Sequence, residues 1–488
     1  MIGQKRIDRR RLLKGSALAA SPLAGIGAGA RPMLAAQEDV TVRWWEHFPE
    51  GLNQSIRDGY MEANPNVTIE LTLYPPNEMN QALQLAYQSE QMPDITTTPG
   101  AAGTSIENLV REGWFQPLPN GQAILDAMPE GTLQSGLTIF NDEIYSFPIF
   151  SPRQYATLNW FNKQMMEDAG VDPEVGPVTW DEFRQAAATI TESGGGQVYG
   201  WIQGINFPDR MAQHVTELAQ TAGAPGPIDF LTDEYAHGTG PFVQAMEFLL
   251  GMNQDGLLFP SSLSLDQRDA RARWASGGGA MLFDGPWNAG VVTQDFEAYL
   301  ENLGVAPIPT PEAGSTARVN VGPATGTYWL ATQSRNPDVA ADILLQMTTD
   351  EYYVTLAERM DQPPFDLTAV ERAEVHPTYA QALGFFADRV RLAPSPVTAN
   401  PAVADVIAEM TPIEPDFGQI IIGAFTGDVP DVGAALQEYA DKLTAERERA
   451  IGVVAAAGAD ISVDAWVFPD WNPDEDYVPA AATPAARS

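Results

Sequence analysis

The chain has 488 residues, with 64 acidic against 27 basic side chains, a formal charge of −37 at neutral pH and no cysteine. That charge repels nucleic acid and anionic lipid surfaces, and the missing thiols exclude disulfides, thiolate metal sites and cysteine nucleophiles. With 44% hydrophobic residues over this length, two domains or lobes with substantial cores are expected.

Residues 1–36 read as an export signal. A basic start containing Arg9-Arg10-Arg11-Leu12-Leu13-Lys14 is followed by a short apolar stretch of small residues, broken by Pro22 and several glycines. It closes at Leu34-Ala35-Ala36, before Gln37-Glu38-Asp39. The stretch is too short to span a bilayer comfortably, and Arg9-Arg10 resembles the pair of a twin-arginine signal. Cleavage near Ala36 removes seven basic residues and one acid and leaves 452 residues at −43. No cysteine follows to carry a lipid, so the exported chain is expected to be soluble, in the periplasm or outside the cell.

The mature part begins with alternating elements. Val40 to Trp45 reads as a strand. Leu52, Ile56 and Tyr60 recur at helical spacing up to Asn64-Pro65, and Val67, Ile69, Leu71 and Leu73 alternate as a strand with one preferred face. A helix is expected from Glu78 to Glu90, then a short strand after Met92-Pro93-Asp94-Ile95. Thr104 and Glu107 suggest a capping box, with Gly113 as terminator. This β-α-β-α-β-α order predicts a parallel sheet covered by helices. Further along, Thr179 and Glu182 form another capping box, Pro337 opens a helix, and Asp431 to Arg449 is a long amphipathic helix. Trp114, Trp180 and Trp274 lie on helical faces and are expected to be packing residues. Residues 479–488 are Ala- and Pro-rich and read as a disordered tail.

Catalytic and metal signatures are missing. None of the four lysines follows a glycine, as a phosphate-binding loop requires, and no Gly-x-Ser-x-Gly elbow occurs. The histidines, His47, His214, His237 and His376, are scattered without metal-ligand spacing. No cofactor or metal is expected.

An ordered set of segments resembles the extracellular solute-binding proteins of family 1, the group of maltose-binding-protein-like components of ABC importers. The set runs through Trp44-Trp45-Glu46, Tyr60 to Ile69, Met92-Pro93-Asp94-Ile95, Tyr145-Ser146-Phe147-Pro148 and Leu158 to Lys163. It continues through Thr179-Trp180-Asp181-Glu182-Phe183, Ala280 to Trp287, Gly304 to Pro309, Ser334-Arg335-Asn336-Pro337 and Gly427 to Ala440. The resemblance implies an α/β, two-lobed periplasmic-binding-protein-like fold of type II. Each lobe would be a mainly parallel sheet flanked by helices, with the ligand cleft between them. It divides the chain into residues 37–157 in the first lobe, 158–303 in the second and 304–352 back in the first. Residues 353–478 form the rest of the second lobe with the C-terminal helices. The segment from Asp460 to Tyr477, with Trp466, Phe468 and Trp471, lies beyond the family pattern.

The implied function is capture of a carbohydrate, an oligosaccharide above all, by hinge closure and its delivery to membrane permease subunits served by a separate ATPase. The chain is expected to be a monomer without catalytic activity. The alternatives are another solute, such as a polyol, glycerol phosphate or a peptide, or a secreted enzyme acting on polysaccharide. A sugar site needs aromatic plates and groups that accept hydrogen bonds from hydroxyls. The residues expected to supply them are Trp45, Glu46, Asp94 and Thr98 on the first lobe. On the second they are Trp201, Asn206, Asp209, Asp284 and Trp287; back on the first, Tyr328 is the better-placed of the pair Tyr328-Trp329.

Overall fold

The computed structural model describes residues 38–49, 51–98, 106–315 and 317–478. The expected export signal, Thr104 of the first capping box and the tail after residue 478 lie outside the described residues.

The first sheet is built from β1 (Val40–Glu46), β2 (Val67–Leu73) and β3 (Ile95–Thr97), which pair in parallel with β1 in the middle. The alternation that marks these strands sends Val42 and Trp44 into one core, with Val67 and Ile69 beside them. A short hairpin, β4 (Ile139–Phe140) and β5 (Glu143–Ile144), precedes the first passage to the second lobe. There β6 (Leu158–Asn162), β7 (Tyr199–Trp201), β8 (Gly279–Asp284) and β9 (Leu303–Ala306) form a sheet in the order β7-β8-β6-β9. The chain then passes β10 (Val319–Val321) and returns to the first sheet as β11 (Tyr328–Leu330), antiparallel to β3. β12 (Val390–Leu392) pairs in parallel with β10 as a separate ribbon.

The second sheet is mixed rather than mainly parallel, since β6 runs antiparallel to both β8 and β9. The reason is where the chain enters. Leu158 opens β6 opposite Asp284, the last residue of β8. A strand that enters a lobe at its hinge edge must run away from that edge, against strands that end there. β11 obeys the same rule, starting beside Thr97 at the carboxyl end of β3.

The lobes keep separate cores. One holds Trp160, Phe183, Trp201, Phe242, Trp274 and Phe283; the other holds Trp44, Phe147, Tyr328, Ile343, Tyr352 and Leu356. Two boundaries differ from the expected division. All of β9 pairs in the second sheet, so the return begins after Ala306 and not at residue 304. The helix Asp350–Arg359 packs in the first core and the helix Pro377–Arg389 in the second, so the last crossing lies between them.

Local signals behave as their chemistry dictates. Thr179 accepts from the Glu182 amide at 3.2 Å while the Glu182 carboxylate accepts from the Thr179 amide at 3.0 Å, closing the capping box. A side chain at Gly200 would sit 2.2 Å from the Ala187 Cα, so glycine there lets β7 lie against the helix Trp180–Ser193. Pro337 opens the helix Pro337–Leu345, and Asp431 caps the long helix Val432–Ala456, which outlasts the expected end at Arg449. Among the described residues no helix is long and apolar enough to cross a membrane.

Candidate functional site

Three connectors join the lobes: Phe150–Thr157, Pro307–Thr327, and the stretch between Arg359 and Pro377. Two cavities open beside them. The smaller, about 280 Å³, lies at the carboxyl ends of β1 and β3 and is lined by His47, Phe48, Thr98, Phe150, Gln154 and Gln362, among others. The larger, about 600 Å³, lies along the helix Pro208–Thr221 and is lined by Asp209, Gln213, Glu217, Gln220, His237, Asn320, Asp416 and Phe417, among others. Both use the second connector, the larger touching Val319–Gly322 and the smaller Pro323–Thr327. Both border the hinge segment 319–327, and together they make up the candidate groove, set where ligands bind in open α/β sheets.

Charge in this groove is one-sided. Among the described residues no lysine or arginine lines either cavity. Burial lowers the pKa of His47 and of His237 from 6.5 to about 4, so both imidazoles are neutral at physiological pH. The His47 ring nitrogen Nδ1 is 2.8 Å from the Thr97 hydroxyl. Among the described residues, four buried polar atoms on the walls find no protein partner: Gln154 Oε1, Gln220 Oε1, Asn320 Oδ1 and His237 Nδ1. Unpaired buried groups of this kind cost about 1–3 kcal/mol each until something hydrogen-bonds to them. Glu217 is committed elsewhere. Its carboxylate accepts from the Ala156 amide at 3.1 and 3.0 Å, from the Thr157 hydroxyl, and from Gln213 Nε2 at 2.9 Å, clamping the first connector to the second lobe. Burial raises its pKa against the pull of those bonds.

Of the residues expected at the site, Thr98 and Asp209 line the cavities. Trp287 is half-buried and held from three sides. Its Nε1 donates to Asp284 Oδ1 at 2.7 Å, the Arg210 guanidinium stands 4.7 Å from its ring centroid, and Gly285 gives it room, since a Cβ there would fall 2.3 Å from the indole. Asn206 is exposed on the turn after β7, three residues before Asp209.

The others are placed differently, each for a packing reason. Trp201 is fully buried between Phe183 and Phe283 in the second core. Trp45 points to the opposite face from Trp44 and packs against Tyr74 at 4.9 Å. Glu46 and Tyr328 are buried together, the tyrosine hydroxyl donating to Glu46 Oε2 at 2.7 Å and Asn53 Nδ2 donating to the same oxygen at 2.9 Å. Desolvation raises the Glu46 pKa, opposed by those two bonds and by Arg57. Asp94 precedes β3, at the end of the strand away from the cavity. It accepts from the Arg43 amide at 2.8 Å and the Ser334 hydroxyl at 2.6 Å, which fixes the loop. Asp284 is fully buried, accepts from Arg271 Nε at 2.8 Å, and positions Trp287.

His47, Phe48, Phe150, Gln213, Gln220, Asn320 and Phe417 were not anticipated. One signal was available on the helix Pro208–Thr221. Asp209, Gln213, Thr216 and Gln220 form a polar stripe at spacings of three and four, opposite the buried Met211, Val215, Leu218 and Ala219. An internal helix with such a stripe faces either solvent or a site.

The sequence profile of bacterial extracellular solute-binding proteins matches residues 45–353, well over half of the chain. The chain belongs to this family. Its fold matches solved structures at low identity. Maltose-bound MalE3 of T. maritima is 18% identical, with a TM-score of 0.63 over 83% of this chain and 99% of that one. The GacH receptor of Streptomyces glaucescens, solved unliganded and with acarbose, is 19% identical with a TM-score of 0.61 over 84% and 99%. The Thermus thermophilus maltotriose-binding protein, bound with maltotriose, is 17% identical with a TM-score of 0.61 over 86% and 100%. No curated protein matches the chain in sequence. Family membership establishes a two-lobed protein that binds a solute.

Proposed function

We propose that this solute-binding protein captures a neutral carbohydrate, an oligosaccharide, and delivers it by hinge closure to the permease of an ABC importer, without catalysing a reaction itself. The observation that carries the proposal is the groove's chemistry. It offers unpaired amide oxygens, carboxylates and aromatic rings, with no lysine or arginine among the described residues of its walls and both lining histidines neutral. Hydroxyl groups donate to such acceptors, and pyranose faces stack on aromatic rings. The described walls of the two cavities carry no cation to meet a phosphorylated or carboxylate solute, and Arg210, beside the proposed contact Trp287, is stacked on that ring; this disfavours glycerol phosphate. Solved structures that share this fold include proteins bound to maltose, acarbose and maltotriose. Thr98, Asp209 and Trp287 are the proposed ligand contacts retained from the sequence, with Gln213, Gln220 and Asn320 added to them.

Titration calorimetry against linear and cyclic gluco-oligosaccharides and xylo-oligosaccharides tests this reading. One sugar should bind saturably at 1:1, raise the melting temperature by mass action and reduce the radius of gyration. Sugar phosphates should bind far more weakly. Turnover of any sugar, or a panel that leaves melting temperature and radius of gyration unchanged, would contradict it.

Delivery to an importer needs export, for which Arg9 and Arg10 are the proposed determinants. Replacing both with lysine should leave full-length precursor in the cytoplasm. Undiminished export of a folded reporter fused behind the double variant would remove the twin-arginine assignment.

A further inference from the structure

The segment after the long helix Val432–Ala456 belongs to neither sheet, yet it runs from the second lobe to the connectors. Its first half is anchored firmly. Ile461 and Trp466 are buried with Val403, Val406, Ala450 and Val454. The guanidinium of buried Arg447 lies 4.8 Å from the Tyr235 ring centroid and 5.4 Å from that of Trp466. Phe468 and Trp471 meet the Phe230 ring edge-on at 5.7 and 5.4 Å.

Its second half grips the hinge. Asp476 accepts from both terminal nitrogens of Arg153, in the first connector, at 3.0 and 2.6 Å. The same carboxylate accepts from the Leu392 amide at 2.9 Å, and the Tyr477 amide donates to the Leu392 carbonyl at 2.8 Å. Asp474 pairs with Arg318, beside β10 in the second connector, and its carbonyl accepts from Arg391 Nε at 3.1 Å. Three residues, Asp474, Asp476 and Tyr477, thus hold two of the three connectors and the β10–β12 ribbon at once. A bidentate carboxylate–guanidinium pair fixes orientation as well as distance.

Closure of a two-lobed protein twists its connectors. A segment bonded to two of them must shift or let go when they twist, so it biases the angle between the lobes. We propose that residues 457–478 form a strap across the hinge, anchored in the second lobe by aromatic packing, and that its Asp474 and Asp476 contacts restrict lobe rotation before ligand binds.

The absence of cysteine makes the test direct. Glu62→Cys and Glu247→Cys, both exposed on helices of opposite lobes, allow paired spin labels in the full chain. In the absence of any sugar, Asp474→Asn with Asp476→Asn should widen the interlobe distance distribution about twofold, at a nearly unchanged melting temperature. The Arg153 and Asp476 side chains are 29% and 35% exposed, so salt reaches the pair. About 1 M NaCl, with a screening length of about 3 Å, should widen the parent distribution and leave the double variant unaffected. Should the double variant fail to fold, Arg153→Gln with Arg318→Gln carries the same expectation from the other side of the contacts. An unchanged width in a folded variant, or widening by salt that is equal in parent and variant, overturns the strap. Because no sugar is present, this result is independent of the carbohydrate assignment.

Discussion

Trp287→Ala should weaken oligosaccharide binding by about 1–3 kcal/mol, roughly 5- to 150-fold in Kd, from lost aromatic burial and stacking. The indole is oriented in advance by the Asp284 carboxylate and by Gly285, and it lies under Arg210 outside the second core. Truncation should therefore cost less stability than the ~3–5 kcal/mol typical of a core tryptophan. Trp287→Phe keeps a flat ring but loses the bond to Asp284, and should retain part of the affinity. Calorimetry and urea unfolding on the same preparations separate the two effects. A large fall in unfolding midpoint with parental affinity in the folded fraction would make Trp287 a packing residue.

Asp284→Ala should have the opposite signature. The carboxylate is fully buried, and its partner Arg271 is nearly so. Removing it strands a guanidinium in the second lobe, which typically costs about 3–5 kcal/mol. It also releases the Gly285 amide and the Trp287 indole, both of which donate to Asp284 Oδ1. The expected result is a strongly lowered unfolding midpoint. Asp284→Asn, which keeps the shape and one acceptor, should be milder. Were Asp284 a direct ligand contact, Asp284→Ala would lower affinity and leave the midpoint near that of the parent. Urea unfolding without sugar decides between these outcomes.

Much of this was written into the chain locally. Alternation in Val67–Leu73, the Thr179–Glu182 capping box and Pro337 ahead of an apolar stripe each report short-range physics, and each produced the element it implied. The ordered family segments added the two-lobed fold and the Gly-Pro-Trp turn that carries Trp287. Which side of a strand or loop faces the groove is not local information. Trp45 and Trp201 were read as plates because they sit at strand ends, but an indole at a strand end packs wherever the nearest core admits it. Glu46 and Asp284 end strands and Asp94 precedes one, positions where a carboxylate is expected to accept from a sugar hydroxyl. Each instead accepts from a donor distant in the chain: Tyr328, Ser334 and Arg271, which lie 282, 240 and 13 residues away. By itself the sequence determined the fold class, the strongly acidic charge and the exclusion of thiol chemistry. Only the tertiary structure decided which polar groups remain unpaired, since a hydrogen bond depends on distance in space and not along the chain. It also decided that the C-terminal segment reaches the hinge, because Arg153 and Asp476 are separated by 323 positions and meet only in the folded chain.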